Sequence, residues 1–362
     1  MSQRILFAVC LVFTFAVTVM ILRKLIPFLK SKKMGQHILD IGPRWHRSKE
    51  GTPTMGGLSF IIASAAAGLC AFVYLGIRDG FSSHLALLFT LLFAAANGLI
   101  GMIDDSAKLR KAQNEGLTAP QKYLLQLAAS GAYLAAMMAS GNLTTELYIP
   151  FVGVTLELGV LYYVFALILL TGVVNAVNLT DGIDGLVSSV TLVVGVFFAL
   201  CAFILPDMCE LTVPSALIIA SSAGFLIYNF YPARVFMGDT GSLYLGAFTV
   251  GCAFMAGNPL IIVVCGIIYI IEAFSVMLQV GYFKITHGKR LFKMAPIHHH
   301  FEKCGWSELK IVGVFTFITA LFCALARRKI TRYASGKAAF CGCVTDFIPN
   351  VRKGDFIFGR RS

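Results

Sequence analysis

Charge is what this chain has least of. Asp, Glu, Lys and Arg make up 13% of its 362 residues, against 57% hydrophobic residues, whereas a soluble domain carries about 25% charged residues. Mean hydropathy is correspondingly high, at +0.79. The shortage excludes an ordinary soluble protein, whose buried helices keep a polar face that most of the long runs here lack. A disulfide framework is also missing. Cys10, Cys70, Cys201, Cys252, Cys265 and Cys323 fall inside apolar runs, where a thiol behaves as a small hydrophobe. There is no internal repeat of the kind from which many transporters are built. Nor does the first run read as a cleaved signal. Arg23 and Lys24 follow it directly, whereas a signal carries its charge in front and small residues behind.

What is present is a series of apolar runs, at 5–22, 58–77, 85–103, 123–140, 159–176, 186–205, 213–230, 242–256, 260–283 and 311–326. Most approach the roughly 20 residues that a helix needs to cross a bilayer, and they predict about ten spans. The expected fold is all-α, a polytopic integral membrane protein with about ten transmembrane helices and cytoplasmic catalytic loops. Residues 1–327 form one transmembrane domain, and 328–362 form a basic tail expected to be poorly ordered.

Lys and Arg choose the orientation. They crowd loops of one parity, around 23–49, 108–122, 234 and 284–310, while the opposite loops hold Arg78 alone, with Arg4 at the N-terminus. The crowded loops belong in the cytoplasm and the N-terminus outside. Ten spans would also put the C-terminus outside, although Arg327, Arg328, Lys329 and Arg332 make the tail basic. The net charge of +12 fits both attraction to anionic lipid and a basic cavity for phosphates. It does not imply nucleic-acid binding.

Because carboxylates are scarce, their positions are informative. Asp104 and Asp105 end the third run, Asp181 and Asp184 sit between the fifth and sixth, and Asp239 lies between the seventh and eighth. All five face one compartment. Clustered carboxylates repel one another, a cost that suggests a bound cation, and oxygen ligands beside phosphates favour Mg²⁺. The competing reading of any single Asp is a helix cap. A third feature is Met294-Ala-Pro-Ile-His-His-His300 behind Lys289, Arg290 and Lys293. On an extended chain, successive histidines would point to opposite faces, which argues against zinc and for phosphate contact or proton handling.

These motifs occur in a familiar order. Lys49-Glu-Gly-Thr-Pro-Thr54-Met-Gly-Gly57, Ile103-Asp-Asp105, the glycine- and asparagine-rich segment 172–185, Tyr231-Pro-Ala-Arg-Val-Phe-Met-Gly-Asp239 and the histidine triplet resemble those of the phospho-N-acetylmuramoyl-pentapeptide transferases, the MraY family. That family belongs to the polyprenyl-phosphate N-acetylhexosamine-1-phosphate transferase superfamily. The resemblance spans about residues 1–327, and the extension beyond departs from it. It implies a ten-helix enzyme, commonly a homodimer in the bilayer, with its active site in the cytoplasm. The enzyme would join undecaprenyl phosphate to UDP-N-acetylmuramoyl-pentapeptide with Mg²⁺, giving lipid I and UMP.

By the same resemblance, Asp239 is the Mg²⁺ ligand, and Asp104, with Asp105 beside it, is general base or positions the lipid phosphate. Asn178, Asp181 and Asp184 line the nucleotide and sugar end, with Phe236 stacking on uracil and Asn229 nearby. His298, His299 and His300 hold the phosphate-sugar region, and Lys49, Thr54, Lys108 and Lys122 complete the cavity. Direct attack and an aspartyl-phosphate route both remain open. The rivals are a sister transferase for N-acetylglucosamine-1-phosphate, disfavoured by the histidine motif with Gly305-Trp306, and a transporter or proton relay. Against the last, the acidic residues gather at one face instead of lining the midplane.

Overall fold

The computed structural model describes residues 2–32, 49, 51–111, 116–149 and 152–326. The tail expected at 328–362, with Arg44 and Arg47, lies outside the described residues. The helices are α1 (Gln3–Ser31), α2 (Leu58–Asp79), α3 (Leu85–Lys111), α4 (Ala119–Ala139), α5 (Leu161–Thr180), α6 (Leu186–Ile204), α7 (Thr212–Asn229), α8 (Gly238–Met255), α9 (Ile261–Cys265), α10 (Ile267–Ile285), α11 (Ile297–Lys303) and α12 (Glu308–Ala326). Between α4 and α5, strands β1 (Glu146–Ile149) and β2 (Val154–Glu157) pair antiparallel, with Glu146 opposite Glu157.

Every expected span but one falls on a single helix, as it must where no water is available to satisfy backbone polar groups. Among the described residues, eight helices are long and apolar enough to cross a membrane; α4 and α8 fall short of that measure. In α8 the reason is its place at the centre of the bundle. From Thr240 to Phe254 every side chain is buried, so small and hydroxyl residues replace the large apolar ones that lipid demands. The outward faces of the other helices carry Ile5, Val12, Leu124, Ile168, Phe274 and Phe317, all well exposed, as a lipid-facing belt requires.

Helices α3 and α8 pack together more extensively than any other pair among the described residues. A Cβ added to Gly101 would overlap the Asp239 carbonyl and lie 2.6 Å from the Thr240 nitrogen. Only hydrogen fits there, and the backbone of α8 rests on α3 one turn before Asp104 and Asp105.

Two expectations change. The run 260–283, read as one span, breaks at Gly266, whose backbone leaves helical geometry (φ −98°, ψ 29°) and separates α9 from α10. Glycine has the weakest helix propensity after proline. The histidine triplet, expected on an extended chain, lies on α11. Helical residues one apart differ by about 100°, so the three rings turn three ways.

Candidate active site

Helix termini assemble the site at one end of the bundle. The C-terminal part of α3 brings Asp104 and Asp105, the first turn of α4 brings Lys122, the end of α5 brings Asn178, and the first turn of α8 brings Asp239. Helix α4 is started firmly. Thr118 and Gln121 form a reciprocal capping box with Pro120 beside them, which fixes the entry of Lys122.

Carboxylate oxygens of Asp104, Asp105 and Asp239 lie within 4.8 Å of one another. Asp239 is the focus. Its Oδ2 accepts from Lys108 Nζ and Lys122 Nζ, each at 2.8 Å, and its Oδ1 accepts from Asn178 Nδ2 at 2.8 Å. Asn178 is steadied by donating to Ser242 Oγ at 2.8 Å. The position of Asp239 in the first turn of α8 adds the favourable end of the helix dipole.

Asp104 and Asp105 divide the work that their adjacency left undecided. Asp105 accepts from the Thr240 nitrogen at 2.9 Å, the Thr240 hydroxyl at 2.7 Å and the Asp239 nitrogen at 3.2 Å. It therefore caps α8 from a neighbouring helix. Asp104 instead accepts from the Leu117 nitrogen at 2.7 Å and contacts Lys108 Nζ at 2.7 Å. The Lys108 ammonium thus bridges Asp104 and Asp239, occupying a place suited to a cation. Asp104, Asp105 and Asp239 are hard oxygen donors that already share one positive charge, and together they could hold a metal ion.

A second ring of contacts braces this cluster. Lys49 donates to Asp184 Oδ1 and Glu308 Oε2, each at 2.7 Å. Burial opposes the Lys49 charge, but hydrogen bonds and attraction from both carboxylates outweigh it and hold the pKa above the usual lysine value. Asp184 also accepts from the Ala233 nitrogen at 2.8 Å. Asn229, almost fully buried, accepts from the Gly185 nitrogen and donates to the Val235 carbonyl. Asp184 and Asn229 therefore tie two loops together, with their polar atoms spent on protein. Phe236 donates its backbone nitrogen to the Pro53 carbonyl at 2.8 Å, and Gly56 donates to the Phe236 carbonyl at 2.9 Å. That zips the 49–57 segment to the 231–239 loop and sets Thr54 beside Gly238. The Phe236 side chain is half-buried.

Asp181 is half-buried at the end of α5. Burial, reinforced by the nearby Asp239, Asp105 and Asp184, pushes its carboxyl well above the usual value. The histidines separate as α11 dictates. His299 Nδ1 lies 2.6 Å from Glu302 Oε2, and His300 Nδ1 accepts from the Lys293 nitrogen at 3.1 Å. Both are part-exposed, but His298 is 0% exposed, so direct phosphate contact does not describe it.

Several functional residues carried weak signals in the sequence. Glu308 and Glu302 lie in the 286–310 segment without a motif of their own, and Ser242 and Thr240 look like ordinary small residues of a buried helix. Glu272 had a clear one, as the only charged residue of the run 260–283, because a charge at membrane depth is expensive.

Comparison with known proteins agrees with this geometry. Residues 84–257 match the family model described as glycosyl transferase family 4, and residues 49–61 match the phospho-N-acetylmuramoyl-pentapeptide-transferase signature 1. A phospho-N-acetylmuramoyl-pentapeptide-transferase of Clostridium acetobutylicum is 44% identical over 302 residues, covering 83% of this chain and 92% of its own. Those of Clostridioides difficile and Clostridium novyi are each 45% identical. They cover 82% and 83% of this chain, and 89% and 90% of their own.

Proposed function

The chain belongs to the phospho-N-acetylmuramoyl-pentapeptide transferase family, and from that premise we propose that it transfers phospho-N-acetylmuramoyl-pentapeptide from its UDP carrier to undecaprenyl phosphate at the Asp104–Lys108–Asp239 cluster. The products are lipid I and UMP. One observation carries the reading: two lysines and an asparagine converge on one half-buried carboxylate, Asp239, at the bundle end where the site aspartates gather.

A phosphate monoester has a second pKa near 6, so the lipid phosphate arrives largely dianionic. Its oxygen forms a bond to the sugar-linked phosphorus in line. The bond from that phosphorus to the bridging oxygen breaks, and the electron pair leaves on the phosphate of UMP. Two anions must meet, and the barrier is mainly electrostatic. Lys108 and Lys122 supply positive charge at the reacting phosphates, and Asp104 orients the lipid phosphate through the shared Lys108. Asp239, with Asp104 beside it, would hold a Mg²⁺, whose charge would stabilise the negative charge developing on the leaving group. Direct displacement is the simpler route.

Asn178 and Asp181 line the nucleotide side, with Phe236 beside the base, and His299 and His300 lie on the sugar side. This end of the bundle faces the cytoplasm, a reading supported by the Lys and Arg asymmetry of the loops, and the working unit is a homodimer, a reading supported by the family resemblance alone. The test is UMP release by purified protein given undecaprenyl phosphate and either UDP-N-acetylmuramoyl-pentapeptide or UDP-N-acetylglucosamine. Turnover of the first alone is expected, and turnover of the second alone overturns the assignment in favour of the sister transferase.

A further inference from the structure

Glu272 and His298 are the buried ionisable pair for which the reaction above has no use. Glu272 lies on α10 and His298 on α11, both 0% exposed, with Glu272 Oε2 3.0 Å from His298 Nδ1. The ring is not aligned for a hydrogen bond, and neither the carboxylate nor either ring nitrogen makes one among the described residues. Polar groups placed so deep without other partners are costly, so a compensating role is expected in geometry. That role is visible on the far edge of the ring. A Cβ added to Gly182 would overlap His298 Nε2 and come within 2.7 Å of its Cε1. The imidazole is therefore wedged between the Glu272 carboxylate and the backbone of the 181–185 loop. The same loop carries Asp181 and carries Asp184, which ties it to Lys49 and Ala233.

We propose that Glu272 and His298 form a buried strut. The Glu272 carboxylate backs the Nδ1 edge of the imidazole at 3.0 Å, and the opposite edge of the ring holds the 181–185 loop in register with Asp239. Neither residue touches substrate; both are positioning residues, and the first histidine of the triplet differs in kind from the other two. The proposal rests on the transferase reading for its consequence in turnover. Small displacements of a positioning element can cost about 10²-fold in rate. Helix α10 packs on α5 and α11, so the strut also makes the loop geometry depend on where α10 stands.

The experiment compares Glu272→Gln, His298→Gln, their double variant and Gly182→Ala, which presses on the ring from the other side. Each is assayed for UMP release, UMP affinity and hydrogen-exchange protection of residues 181–185. A strut predicts that each single variant lowers kcat/KM by about tenfold or more, and that the double is no worse than the poorer single, since the two act as a unit. It also predicts weaker UMP binding and lower loop protection in all four. If Glu272→Gln behaves as wild type while His298→Gln loses kcat with unchanged UMP affinity, His298 acts on substrate directly and the strut is wrong. Multiplicative losses in the double variant overturn it equally. If Glu272→Gln does not fold, Gly182→Ala carries the same comparison. Wild-type protein that releases no UMP defeats the transferase reading instead, and loop protection still decides the strut.

Discussion

Asp104 and Asp105 show how two identical neighbours come to differ. Adjacency on a helix says only that they point about 100° apart; which one serves α8 depends on Thr240, 135 residues further along the chain, and no local pattern encodes that. Asp105, as the cap on Thr240, should be mainly structural. Asp105→Asn is expected to cost about 1–2 kcal/mol of stability. Asp104→Asn should keep a near-native Tm and lose about 10²-fold in kcat, as misplacement of a reacting group can cost. Thermal melts and UMP-release rates on the two variants check this, and the reverse assignment would appear as exchanged phenotypes. Asp181 predicts a pH effect. Its carboxyl is raised above 3.8 by burial first and by neighbouring carboxylates second. A raised acid contributes stability that is full below its unfolded value and is lost as pH rises through the folded one. In chelator-containing buffer, wild type should therefore lose Tm as pH climbs from 3.8 towards and past the raised value. Asp181→Asn should lose less over the same range, and parallel curves for the two proteins would refute it.

At the scale of elements, apolar runs made the long helices legible, because crossing a bilayer demands length and hydrophobicity together. Shorter features were not legible. Helix α11 has seven residues, too few for a periodicity to show, and Gly266 reads in sequence like any tolerated glycine of a membrane helix. The hairpin β1–β2 was hidden in a loop whose alternation covers four residues a side. Gly101 was equally silent, because its importance lies in what crosses it. Gly101→Ala should force α8 from α3 and cost about 1–3 kcal/mol, as overpacking does, with turnover falling as Asp239 moves. Gly131, with nothing within 4 Å of an added Cβ, is the control, and Gly131→Ala should be neutral or slightly stabilising. Equal tolerance of both changes, read by Tm and kcat, would mean the crossing is looser than described.

For the whole molecule, the charge asymmetry of the loops was the strongest message in the sequence, since it orients every span at once. It follows that a cysteine placed at Ser106, in a background lacking other accessible cysteines, should react with impermeant thiol reagents from the cytoplasmic side only. Labelling from outside intact cells would invert the topology and move the site with it. The five aspartates could be assigned to one face from span parity, but their roles could not, because Lys49, Lys108 and Lys122 find their partners only when helix ends 117–259 residues apart are brought together. The central claim is phosphotransfer at the Asp104–Lys108–Asp239 cluster with Mg²⁺. It is tested most directly by following UMP and the lipid-linked product together in purified protein. Wild type and Asp239→Asn are given UDP-N-acetylmuramoyl-pentapeptide and undecaprenyl phosphate, with Mg²⁺ and with chelator. The expected result is equimolar UMP and lipid I from wild type with Mg²⁺, and neither product with chelator or from a folded Asp239→Asn. Undiminished turnover in chelator, or near-normal turnover by Asp239→Asn, would contradict it.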